Sequence, residues 1–177
     1  TDHPFGTLLG SQSPAIYSSP ITTASPTTWF DLRMTGKLTP VRDQEQCGAC
    51  WAFSTYGSLE STNLPGKKWD FSENNMKNTH GFDLDPCKGG NYQMSTAYLA
   101  RWSGAVSEAA DPYLSTASTS GGNVPVVQHV QDVIFLPSRT GPLDNAQIKQ
   151  LLQQNGAVYS QIRWASGYYN KKLVSYY

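Results

Sequence analysis

The stretch Gln44-Glu45-Gln46-Cys47-Gly48-Ala49-Cys50-Trp51-Ala52-Phe53 ties a cysteine to the first turn of a helix and sets a glutamine six positions ahead of it. From Cys50 to Asn63, Phe53, Tyr56 or Gly57 and Glu60 recur at helical spacing, and Asn63-Leu64-Pro65-Gly66 stops the run. A cysteine at a helix N-terminus meets unpaired backbone N–H groups and the positive end of the macrodipole, and both favour thiolate over thiol. The thiolate is the attacking form. Gln44 adds a neutral side-chain donor that, together with the Cys50 N–H, can hold the oxyanion of a tetrahedral intermediate. The pattern points to acyl transfer.

Cys47 to Trp51 fits the run Cys-Gly-[Ser/Ala]-Cys-[Trp/Tyr]. Ahead of it stand Asp31-Leu32-Arg33 and Leu38-Thr39-Pro40-Val41-Arg42-Asp43-Gln44. Behind it come Phe71-Ser72-Glu73-Asn74, Cys87-Lys88-Gly89-Gly90, Val106-Ser107-Glu108 and Asp111-Pro112-Tyr113, in that order. On these motifs, from about Trp29 to the C-terminus, the chain resembles the papain-like cysteine peptidases, the papain and cathepsin family.

The resemblance implies an α+β fold with a helical left domain and a β-rich right domain, the latter incomplete here. It implies Cys50 as nucleophile and Gln44 as oxyanion donor. It also implies a Cys47–Cys87 disulfide that ties the catalytic loop to a substrate shelf at Gly89 and Gly90. Gly48 would let an extended substrate approach, and Tyr92 would wall the main specificity pocket. Glu60 and Glu73 match two glutamates that the family buries, although most glutamates are solvated. A second family bridge would begin where Thr79 stands. The family's general-base histidine, usually followed by alanine, and its asparagine in an Asn-Ser-Trp context lie well downstream of the cysteine, and neither pattern occurs here. The chain, ending at Tyr177, resembles roughly the first two thirds of an enzyme, so both residues are expected from a C-terminal fragment outside it.

Thirteen basic and thirteen acidic residues give a formal net charge of zero, and nothing in that balance suggests nucleic acid, an acidic substrate or a charged membrane surface. No apolar run reaches the roughly 18 residues a membrane span requires. Ser, Thr, Gly, Asn and Tyr are plentiful and charges sparse, which fits an extracellular surface. With Thr1 rather than methionine at the start, removal of a leader is the expectation, as in a secreted zymogen. A structural disulfide argues the same way, since such bonds persist in oxidising compartments.

Three divisions follow. Residues 1–28 are mostly Ser, Thr and Pro from Ser11 onward, a composition that cannot bury enough apolar area to offset ordering entropy. They read as an arm, either a linker or the tail of a propeptide. Residues 29–114 hold three helices: Cys50 to Asn63, a short one capped by Ser72 with Asn75 at its third position, and Tyr92 to Trp102, ended by Gly104. Residues 115–177 open on a Ser/Thr/Gly linker to Asn123. A strand is expected from Val124 to Leu136, a helix from Asp144 to Asn155 closed by Gly156, and another strand from Ala157 to Arg163.

Most free cysteines are buried and inert, but the helix start and the Gln44 spacing favour the nucleophile for Cys50. Trp51 reads as core that also flanks the thiol. Of the three histidines, His3 lies in the arm, His80 in a loop and His129 in an edge strand; all three read as surface residues. No metal is implied: Cys47 and Cys50 have zinc-ligand spacing, yet no second pair accompanies them. No organic cofactor is implied either.

The sequence therefore reads as a secreted cysteine endopeptidase that hydrolyses peptide or protein substrates through a thioester on Cys50, with histidine and asparagine supplied from elsewhere. Two alternatives stand beside it: a non-catalytic papain-like peptide-binding module, and a peptide ligase or transpeptidase.

Overall fold

The computed structural model describes residues 28–162 and 165–176. The expected arm, Thr28 apart, and His3 lie outside the described residues. The elements are four α-helices, α1 (Cys50–Asn63), α2 (Glu73–Thr79), α3 (Tyr92–Ala100) and α4 (Ala146–Gln154), and two short strands, β1 (Tyr169–Asn170) and β2 (Ser175–Tyr176), paired antiparallel. Among the described residues no helix is long and apolar enough to cross a membrane.

Both ends of α1 are those the sequence predicts, because local chemistry sets them. It starts on Ala49, which offers no side-chain cap, and it stops before Leu64-Pro65, where proline cannot continue the ladder. α2 begins as expected at Ser72, whose Oγ accepts the Asn75 N–H at 2.9 Å. α3 stops at Ala100, short of the predicted Trp102, since Trp102 itself turns to φ 63 and leaves the helix. α4 starts at Ala146 rather than Asp144. The Asp144 carboxylate is engaged in the preceding loop, where it accepts both the N–H and the hydroxyl of Thr140. Gly156, at φ 115, closes this helix as predicted.

α1 packs against α2 and α3. Trp51, Tyr56, Phe71, Met76 and Tyr98 form the centre of the core with Leu99 and Ala105, and each large side chain buried there stabilises by about 1.5–3 kcal/mol. The far half of α1 ties down later segments. The Ser61 hydroxyl donates to the Lys37 carbonyl at 2.5 Å and accepts the Ala157 N–H at 2.7 Å, while the Ser58 hydroxyl donates to the Ala157 carbonyl.

The two strands expected in the last third do not form as drawn. Val126 bridges Val106, and the Val127 N–H donates to the Ala105 carbonyl at 2.8 Å. Beyond that point, among the described residues, 129–136 make no backbone bond to another segment. A strand exists only where a neighbour takes its backbone donors and acceptors. β-branched composition records a fit to a sheet and does not supply the partner. Residues 157–162 are likewise irregular, and the sheet that forms is the later β1–β2 hairpin.

Candidate active site

Cys50 opens α1 as a free, half-buried thiol. Because Ala49 brings no capping oxygen, the first N–H groups of the helix have no side-chain competitor, and those of Trp51 and of Cys50 itself interact with the sulfur. Burial pushes the Cys50 thiol up, and the two N–H groups recover only part of that shift. The helix start alone therefore does not hold a thiolate here, contrary to what position by itself suggests. The aromatic neighbour of this thiol, Tyr159, is raised to about 12 by burial, with a contribution from Cys50.

Cys47 and Cys87 are joined by a disulfide spanning 40 residues. The bond lies beside a parallel bridge, Gly48 to Lys88, in which the Gly48 N–H donates to the Cys87 carbonyl at 3.1 Å. A Cβ on Gly48 would stand 2.5 Å from that same carbonyl oxygen. Glycine at 48 is thus required by the Cys87 carbonyl on the facing wall, a reason other than the substrate approach expected of it. Gly89 sits at φ 92, and a Cβ on Gly90 would stand 2.6 Å from the Trp51 indole. Both are buried.

Gln44 is half-buried. Its carbonyl accepts the Cys47 N–H at 3.3 Å and the Tyr113 hydroxyl at 2.8 Å, which closes the turn back toward the start of α1. Tyr92 meets Phe135 at 5.7 Å and Tyr159 at 6.5 Å between ring centroids. Three aromatic rings from segments far apart in sequence therefore gather around Tyr92, and one of them, Tyr159, interacts electrostatically with Cys50. Phe135 and Tyr159 carried no signal, since both lie in stretches read simply as strands.

His80 corrects the sequence reading. It is 4% exposed, set edge-on against Trp51 at 5.8 Å, and its Nδ1 accepts the Phe82 N–H. Burial drives its pKa down, and the nearby Arg101 guanidinium does the same. The signal missed was Arg101, which donates to the Thr79 and His80 carbonyls and seals the end of α2. His129 is exposed, as expected, and stacked on Trp102.

Glu60 and Glu73 are 3% and 2% exposed. Glu60 accepts from the Thr39 hydroxyl and the Phe71 N–H. Glu73 is raised to about 7 by burial, against the pull of Arg42, whose guanidinium lies 3.1 Å away. Arg42 also contacts Asp70 and Glu108, so one cation serves three carboxylates behind the loop that carries Gln44.

The match to the papain family cysteine protease model runs over residues 26–176, and the chain belongs to that family. It is 37% identical over 113 residues to cysteine proteinase EP-B 1 of Hordeum vulgare, covering 58% of this chain and 30% of that protein. It is 34% identical over 105 residues to a cathepsin L-like peptidase of Aedes aegypti, covering 58% and 31%. Recombinant stem bromelain precursor superposes with a TM-score of 0.56 at 26% identity, over 71% of this chain and 41% of that one. The chain thus spans under a third of the length of either relative.

Proposed function

We propose that this chain is the cysteine-bearing part of a secreted cysteine endopeptidase. Cys50 attacks the peptide carbonyl, the Gln44 carboxamide and the Cys50 N–H hold the oxyanion, and a thioester forms on Cys50 that water resolves. The observation that carries this reading is a free thiol at an uncapped helix start, with backbone N–H groups on its sulfur, while the other two cysteines bridge the loop in front of it. The proton on the leaving amine needs a general acid, and that role falls to a histidine oriented by an asparagine, both contributed by a C-terminal part of the same enzyme.

Gly48, Gly89, Gly90 and Tyr92 form the substrate side of the cleft in this reading, supported by the bridge that sets Gly48 against the segment running into Gly89 and by the aromatic group around Tyr92. The division into an arm over 1–28, a helical domain over 29–114 and a second domain over 115–177 belongs to the same proposal. It is supported by the packing of α1 with α2 and α3. The disulfide supports an oxidising compartment.

Alkylating the non-reduced chain with iodoacetamide and mapping the adduct tests the nucleophile. The adduct is expected on Cys50, and modification chiefly at Cys47 or Cys87 would refute the assignment. In a preparation with peptidase activity, Gln44→Ala should raise the barrier by roughly 2.7–4 kcal/mol, the size of a lost oxyanion donor.

A further inference from the structure

Tyr113 reaches from the turn after Asp111 to the loop that carries Gln44, and its phenol donates to the Gln44 carbonyl at 2.8 Å. That loop is held in an unfavourable shape. Glu45, next to Gln44, sits at φ 53 without being glycine, a conformation that persists only where its surroundings impose it. Asp43 accepts the Glu45 N–H at 2.7 Å, and the Ser115 hydroxyl donates to the Glu45 carboxylate. The segment containing Tyr113 and Ser115 therefore grips the loop at two successive residues.

The ring of Tyr113 is fixed in turn. Phe53 meets it edge-on at 4.9 Å and 80°, the Lys77 ammonium lies 5.7 Å from its centroid, and its own N–H donates to Glu108 at 2.8 Å. Burial, reinforced by Glu73, Glu45 and Asp43, pushes the phenol up to about 12, so the hydroxyl stays protonated and able to donate.

We propose that Tyr113 is a positioning residue for acyl transfer: its hydroxyl fixes the Gln44 carbonyl and thereby aims the Gln44 carboxamide at the oxyanion formed on a substrate at Cys50. The inference rests on Gln44 being the oxyanion donor, as proposed above. Its bearing is on catalysis because a carboxamide misplaced by a fraction of an ångström loses much of its hold on the developing charge.

Two reactions of the same sulfur separate this role from a structural one. With a p-nitrophenyl ester, the Cys50 thiolate bonds to the acyl carbon and negative charge moves to the carbonyl oxygen. The C=O bond then re-forms as p-nitrophenolate departs, and the thiol proton goes to the buffer. With iodoacetamide, sulfur bonds to a saturated carbon and iodide departs, so no oxyanion arises. Tyr113→Phe removes one hydroxyl and should slow the p-nitrophenolate burst about three- to tenfold, the scale of one neutral hydrogen bond, with alkylation unchanged. Gln44→Ala should slow the burst about a hundredfold or more, and adding Tyr113→Phe to it should cost nothing further.

The Cys50→Ala chain supplies the background. A Tyr113→Phe chain that acylates normally, that loses alkylation in parallel, or that slows further in the Gln44→Ala background would overturn the proposal. If Gln44→Ala itself leaves the burst unchanged, the oxyanion reading fails, and the positioning role falls with it.

Discussion

Two effects act in opposite directions on the sulfur of Cys50. The first N–H groups of α1 draw charge onto it, and the half-buried surroundings resist that charge; burial is the larger. Desolvation raises a buried thiol and a helix N-terminus lowers it, and here the first effect is the larger. Alkylation of this chain should therefore rise with pH through an alkaline midpoint above that of an exposed cysteine, with little reactivity at pH 6. A stopped series of iodoacetamide rates from pH 5 to 10 checks this, and a plateau already present at pH 6 would contradict it. At this scale the sequence marked Cys50 as the start of a helix, because position along a helix is local information. It did not show the sign of the net shift, nor the burial of His80 against Trp51. Both depend on atoms brought from distant segments.

Helices whose limits depend on adjacent residues could be read directly, as with α1 before Leu64-Pro65 and α2 on its Ser72 cap. Where a boundary depends on a competing partner, as with Asp144 and Thr140 ahead of α4, the prediction drifted by two residues. Val124 to Leu136 failed more fully, since a ladder needs a second chain segment that composition does not name. The Gly90 contact with α1 makes a prediction of its own. A Cβ there would press on the face of the Trp51 indole, which is 1% exposed, so the ring would have to shift within a packed core. Gly90→Ala should destabilise by about 1–3 kcal/mol, as overpacking does. Denaturant unfolding compared with the parent chain measures it, and an unchanged midpoint would show that the indole shifts freely.

Across the whole molecule the Cys47–Cys87 bond closes a loop that contains all of α1 and α2. Cross-linking residues this far apart should contribute roughly 4 kcal/mol by limiting the unfolded chain. Replacing both cysteines by alanine should lower the unfolding free energy by that order, with Cys50 still free to react. Equal stability of parent and variant would show that the unfolded chain is already restricted. The bridge and the order of motifs around it were legible through family resemblance, whereas the bond from Tyr113 to Gln44 and the packing of Phe135 and Tyr159 on Tyr92 arise only through folding. The loop also includes the exposed turn 65–68 between the two helices. A proteolytic cut in that turn would open a covalent ring without dividing the molecule. The nicked protein would gain only the mass of one water and migrate as one species, and two fragments would separate only after a reductant reached the sulfurs.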